Sequence, residues 1–234
     1  GPSLSADGAV LAVGGYGQST VSEGGFVMVW DRSTSSTPAS SLRDITPVQL
    51  NHPSPVESDK LGIGGPSLSA DGLVLAAGAP GYGDSGSQYG AVWVWTKYSQ
   101  TQSFSTSTTP VMLTDPNGGN QDELGYGGPA LSADGLVLAA AAHNSNEKGT
   151  SSGAVLVWQR ASTTASFSSE PSAKLTDPNG SAMDVLGLGG VSLSADGRVL
   201  AASSHTDDDK GTDSGSTLVW ENVCEGGHSP PLCH

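Results

Sequence analysis

The chain has 234 residues, of which 14% are charged and 33 are glycine. Nine Lys and Arg stand against 23 Asp and Glu, a formal net charge of −14 that repels both the phosphate backbone of nucleic acid and an anionic lipid surface. No apolar run approaches the roughly 20 residues of a membrane-spanning helix, and no stretch keeps apolar residues at helical spacing over three turns.

What remains is an all-β composition, with Ser, Thr and Gly filling the gaps between short apolar runs. The chain opens on Gly1-Pro2, without Met or a signal sequence, as expected of a mature, processed or excised segment.

The first eight residues, Gly-Pro-Ser-Leu-Ser-Ala-Asp-Gly, return at Gly65, then as Gly-Pro-Ala-Leu-Ser-Ala-Asp-Gly at Gly128 and Gly-Val-Ser-Leu-Ser-Ala-Asp-Gly at Gly190. The successive offsets are 64, 63 and 62 residues, so the chain is built from four copies of one unit. Each copy begins with a short strand, residues 2–5 in the first, and turns at Ser-Ala-Asp-Gly (5–8, 69–72, 132–135, 194–197). The Asp of that turn is placed to bond the turn backbone and the Gly to take a left-handed conformation.

A second strand follows at 10–13, 74–77, 137–140 and 199–202, apolar without alternation, as expected of a strand covered on both faces. After a polar loop comes a third strand, ending in Trp30, Trp95, Trp158 or Trp220. The recurrence of these Trp residues points to packing between or beneath the units. A Ser/Thr-rich connection leads to a short fourth strand at 47–50, 110–113 and 172–175; Pro at its start suits an edge position. A turn then leads through Leu-Gly-x-Gly-Gly to the next copy.

Four short strands per unit of about 63 residues describe a propeller blade. The string Asp122-Glu123-Leu124-Gly125-Tyr126-Gly127-Gly128, the strand after it and Gly153-Ala154-Val155-Leu156-Val157-Trp158 resemble an FG-GAP-type repeat, the blade of integrin α-subunit propellers and of many secreted surface proteins. Leu61-Gly62, Leu124-Gly125 and Leu186-Gly187 stand where that family carries Phe-Gly. Gly78-Ala79-Pro80 is its intact Gly-Ala-Pro, replaced elsewhere by Gly14-Gly15-Tyr16, Ala141-Ala142-His143 and Ser203-Ser204-His205.

The resemblance implies one β-propeller domain of four antiparallel blades: repeats 1–64, 65–127, 128–189, a partial repeat 190–222, and a tail 223–234. The fourth blade lacks an encoded outer strand. Either the tail folds back to supply it, pinned by a Cys224–Cys233 disulfide, or a neighbouring chain does.

The family's calcium loop, Asp-x-Asp-x-Asp-Gly, is absent. Asp7, Asp71, Asp134 and Asp196 read as turn formers. The run Asp207, Asp208, Asp209 with nearby Asp213 reads as a solvated loop, with a weak calcium site the alternative. His143 and His205 share one position in adjacent copies and are expected as exposed loop histidines or as ligand contacts, without a third metal ligand. Tyr89 and Trp93 belong to the second copy alone and are further ligand candidates.

Asn179-Gly180-Ser181 is an N-glycosylation sequon, and the Ser/Thr tracts at 33–41, 99–109 and 161–169 read as linkers or O-glycosylation sites. No nucleophile elbow, His-Glu-x-x-His or phosphate loop is recognised, and neither an enzyme nor a cofactor is expected. The sequence is therefore read as a non-catalytic extracellular or cell-surface module, structural or adhesive, acting on copies of itself or on extracellular protein or glycan. The alternative is a carbohydrate-binding propeller.

Overall fold

A computed structural model describes residues 1–17, 23–33, 41–83 and 87–222. Among these described residues, fifteen strands fall into four antiparallel sheets taken up in chain order. The first holds β1 (Pro2–Leu4), β2 (Val10–Gly15), β3 (Phe26–Asp31) and β4 (Val48–Leu50), and the second β5 (Ser67–Leu68), β6 (Val74–Ala79), β7 (Ala91–Thr96) and β8 (Val111–Leu113). The third holds β9 (Ala130–Leu131), β10 (Val137–Ala142), β11 (Ala154–Gln159) and β12 (Ala173–Leu175). The fourth has only β13 (Val191–Leu193), β14 (Val199–Ser204) and β15 (Ser216–Glu221). Among the described residues a single 3₁₀ turn, Leu42–Asp44, interrupts the strands. Four blades are thus present, and the fourth has three strands among the described residues. The Cys224–Cys233 pairing and the tail lie outside them.

Each sheet is a meander. The second and third strands pair over six residues, from Val74↔Thr96 to Ala79↔Ala91 in blade 2, whereas the outer strand pairs over three, from Val92↔Leu113 to Val94↔Val111. The turn between the first two strands is fixed by its own side chains. Ser69 Oγ donates to Asp71 Oδ1 at 2.6 Å and the Leu73 N–H to the same oxygen at 3.0 Å, while Gly72 takes φ +67°. The same pair of bonds recurs at Asp7, Asp134 and Asp196. At Asp7 and Asp196, the serine bond and then the backbone bond hold the carboxyl below its ordinary range.

The core lies between blades. One apolar cluster joins blades 1 and 2, a second blades 2 and 3, a third blades 3 and 4. Trp95, Trp158 and Trp220 each sit buried in one of them. Every residue of β6 and of β10 is buried, as a strand covered on both faces requires. In the end blade, β14 alternates between exposed and buried instead, because among the described residues only one of its faces has a neighbour.

Candidate functional site

The junction between blades is built from the same residues three times. The segment preceding each blade crosses between it and the blade before. Its Leu61, Leu124 or Leu186 is wholly buried and pairs in parallel with Gly25, Gly90 or Gly153 at the entry of the preceding third strand. Its glycine then donates to the blade that follows: Gly62 N–H to Gly78 O at 2.7 Å, Gly125 N–H to Ala141 O at 2.9 Å, Gly187 N–H to Ser203 O at 2.8 Å. The backbones come so close that a Cβ at Gly14 or Gly78 would overlap the Gly62 or Gly125 carbonyl.

Nearer the centre, a backbone ladder runs from turn to turn. Ala6 N–H donates to Ala70 O, Ala70 N–H to Ala133 O, and Ala133 N–H to Ala195 O, each at 2.8 Å. Inner strands are joined through serine, with Leu68 N–H on Ser3 Oγ at 3.1 Å and Leu131 N–H on Ser67 Oγ at 3.0 Å.

No core cluster and no ladder bond joins blade 4 to blade 1 among the described residues. The two ends of the arc therefore carry unfilled halves of this junction. On blade 1, Leu4 is 58% exposed, although its counterpart Leu68 is buried. On blade 4, Val199 is 38% and Val219 54% exposed, although Val137 and Val157 of blade 3 are buried in the third cluster. Gly8 has open space where Gly72, Gly135 and Gly197 each press on the valine of the preceding blade.

The candidate residues named from sequence do not converge. Trp93 is buried in the first cluster, stacked on His52 with ring centroids 4.9 Å apart, while Tyr89 is exposed. His143 corrects the expectation of an exposed loop histidine. It is buried beside Tyr126 (centroids 4.9 Å apart), with Nε2 3.4 Å from Glu123 Oε2, because the segment leading into blade 3 folds against it. Burial pushes its pKa down to about 4. His205 is exposed; Val185 and Leu188 occupy the places of Glu123 and Tyr126 in its copy.

Asp207 is bonded by Asp209 N–H at 2.8 Å and Asp208 by Asp213 N–H at 2.7 Å, so these carboxylates shape their loop. No group of three His, Cys, Asp or Glu in a metal-holding arrangement occurs among the described residues. Asn179 is exposed at its turn.

Two features went unrecognised in the sequence. His52 Nε2 lies 2.6 Å from Asp59 Oδ2, both side chains fully buried, beneath Trp93 and Tyr82. Residues 149–153 carry Gly-x-Ser-x-Gly spacing, but they form the loop entering β11, where Ser151 N–H donates to Asn146 Oδ1 at 2.8 Å. A nucleophile elbow needs a strand-to-helix turn, which this is not.

No family model and no curated protein matches the chain. Solved structures do. Sqt1 of Chaetomium thermophilum, solved bound to the N-terminus of ribosomal protein L10, is 17% identical with a TM-score of 0.52, covering 94% of this chain and 45% of that one. A protein assigned as TolB from Agrobacterium tumefaciens is 15% identical with a TM-score of 0.50, covering 96% and 61%. The β-propeller domain of the Trilobed protease from Pyrococcus furiosus, which has an open velcro topology, is 10% identical with a TM-score of 0.50, covering 97% and 54%. The likeness establishes the class: this chain has a β-propeller fold. It spans between 45% and 61% of the length of these three structures.

Proposed function

We propose that the chain is a non-catalytic, extracellular structural or adhesive propeller module of the FG-GAP type. It joins copies of itself head to tail, blade 4 of one copy seating on blade 1 of the next. The observation that carries this reading is the pair of unfilled faces, each offering one half of a junction that the chain itself builds three times. Val199 and Val219 on one face match the buried valines of blade 3; Leu4 and the half-buried Trp30 on the other match the buried Leu68 and Trp95 of blade 2. The Ala195 N–H and the Ala6 carbonyl are the open ends of the ladder. Among the described residues no fourth Leu-Gly segment exists to line such a junction, so it buries less than an internal one and association is reversible.

Other features support the rest of the reading. The acidic charge, the Ser/Thr tracts and the exposed Asn179 suit an extracellular surface. The neighbour Sqt1, bound to a protein segment, is a precedent for a propeller that recognises protein. The buried His52–Asp59 pair is sealed beneath two aromatic rings, out of reach of a substrate.

Sedimentation velocity over a wide concentration range tests the proposal. The wild type should associate, and Val219→Asp or Leu4→Asp alone should each stay monomeric, because every molecule then lacks the same half of the contact. A mixture of the two variants should stop at a heterodimer, because each keeps one intact face of opposite kind. A wild type that stays monomeric at its solubility limit, or a Val219→Asp variant that assembles like the wild type, would overturn it.

A further inference from the structure

The third strand of each inner blade is followed by a cation two residues after its closing Trp: Lys97 in blade 2 and Arg160 in blade 3. Each lies over an aromatic ring from the connection that follows. Lys97 Nζ is 5.3 Å from the Phe104 centroid, and the Arg160 guanidinium carbon is 4.9 Å from that of Phe167. The preceding blade contributes the residue directly after its own Trp. At the first junction this is Asp31, whose carboxylate receives Lys97 Nζ at 2.6 Å. At the second junction the same place holds Thr96.

Arg160 therefore lacks the carboxylate that Lys97 has. Its Nε donates to Gly135 O at 2.8 Å and its Nη1 to Ala165 O at 3.2 Å, but Nη2 has no partner although the residue is only 8% exposed. Asp71 and Asp134 act on it only through space, each being bonded within its own turn. A buried guanidinium donor without an acceptor is costly, and a carboxylate is the acceptor that fits its geometry.

A cleft borders the buried guanidinium. Arg160, Thr96, Tyr98 and Phe167 line a small cleft of about 30 Å³, room for about two water-sized atoms. Thr96, Tyr98 and Thr109 are shared with an adjoining cleft of about 470 Å³, otherwise lined mainly by hydroxyl and amide side chains such as Gln102 and Ser107. Between the two stands Tyr98, 64% exposed.

We propose that this rim cleft between blades 2 and 3 binds an acidic saccharide of the uronic acid type. Its carboxylate takes the position that Asp31 holds at the first junction and bonds Arg160 Nη2. Its ring lies against Tyr98, and its hydroxyls face the polar wall of the larger cleft. An aromatic ring with a polar tip suits a sugar, which has an apolar face and a polar edge. The site is on the rim, away from the end faces, so it stands or falls independently of head-to-tail association.

The test is titration, followed by NMR, with methyl glucuronide, methyl glucoside and acetate at physiological salt, where the repulsion of distant carboxylates is screened. The glucuronide should bind at least about tenfold more tightly than either other probe, a difference of about 1.4 kcal/mol. Thr96→Asp supplies the missing carboxylate in place; it should fold and lose at least about tenfold in glucuronide affinity, while Thr96→Ser keeps it. Tyr98→Ala should weaken the glucuronide and leave acetate unchanged. Glucuronide binding that is absent, no tighter than that of the glucoside or acetate, or insensitive to Thr96→Asp or to Tyr98→Ala would overturn the proposal.

Discussion

Gly72, in the turn of blade 2, lies against Val10 of blade 1 so closely that a Cβ there would stand 2.8 Å from Val10 Cγ2. Gly8 occupies the same place in blade 1 with a similar φ (+64° against +67°) and nothing within 4 Å. The pair separates backbone strain from inter-blade crowding. Gly8→Ala is expected to cost about 1 kcal/mol for the left-handed conformation alone. Gly72→Ala should cost that plus about 1–3 kcal/mol of overpacking. Urea denaturation of the two variants measures the difference; equal losses would mean that the junction gives way freely.

The Asp31–Lys97 pair ties blade 1 to blade 2 across 66 residues of sequence, with both side chains almost out of water. Removing one partner of such a pair strands the other's charge. Asp31→Ala is expected to destabilise by about 3–5 kcal/mol, whereas the double change Asp31→Leu with Lys97→Met restores much of that loss. The denaturation midpoints of the single and double variants decide it. A single variant within about 1 kcal/mol of the wild type would show that water, rather than Asp31, solvates Lys97.

The repeat made the strands, their order and the turn chemistry readable, because each depends on residues close in sequence. Ser69, Asp71 and Gly72 make a hairpin whatever surrounds them. The closing Trp residues were readable as packing groups for the same reason, since recurrence at one position signals a repeated environment. What escaped was contact between copies. His143 has the same local sequence role as His205, and only the differing segments ahead of the two blades, Glu123 and Tyr126 against Val185 and Leu188, bury one of them. Arg160 is likewise ordinary in its own repeat. Its unmatched donor becomes visible only when Thr96 is compared with Asp31 in the blade before. Aligning each residue with the position it meets in the next copy, rather than with its own counterpart, would have exposed that difference.

Leu124 and Leu4 give a second measure of the open arc. Leu124 is wholly buried in the cluster between blades 2 and 3, and Leu4 is largely in solvent on the face of blade 1. Leu124→Ala should cost about 2–5 kcal/mol by leaving a cavity. Leu4→Ala should change stability by no more than about 0.5 kcal/mol in dilute solution. Raising the protein concentration should enlarge only the second effect, because only Leu4 lies on the face proposed to associate. Thermal melts of both variants at low and high concentration would show this; a Leu4→Ala effect independent of concentration would count against that face as a contact.

His143 sets an acid limit on stability whose sign follows from its pKa. Unfolded, the imidazole takes a proton as the pH falls through about 6.5; folded, burial keeps it neutral down to about 4. Between those values the unfolded chain binds more protons, so stability falls with pH across that window and is fully retained above it. The neighbouring Glu123 carboxyl, raised by burial, acts in the opposite sense: acid relieves the cost of its charge. The two effects are separated by comparison with His143→Gln, which keeps Glu123 and removes the titrating ring. From pH 7 to pH 5 the wild type should lose more stability than the variant in urea denaturation, and above pH 7 the gap between them should be constant. Parallel curves through the whole range would mean that His143 takes up its proton in the folded protein as readily as in the unfolded chain.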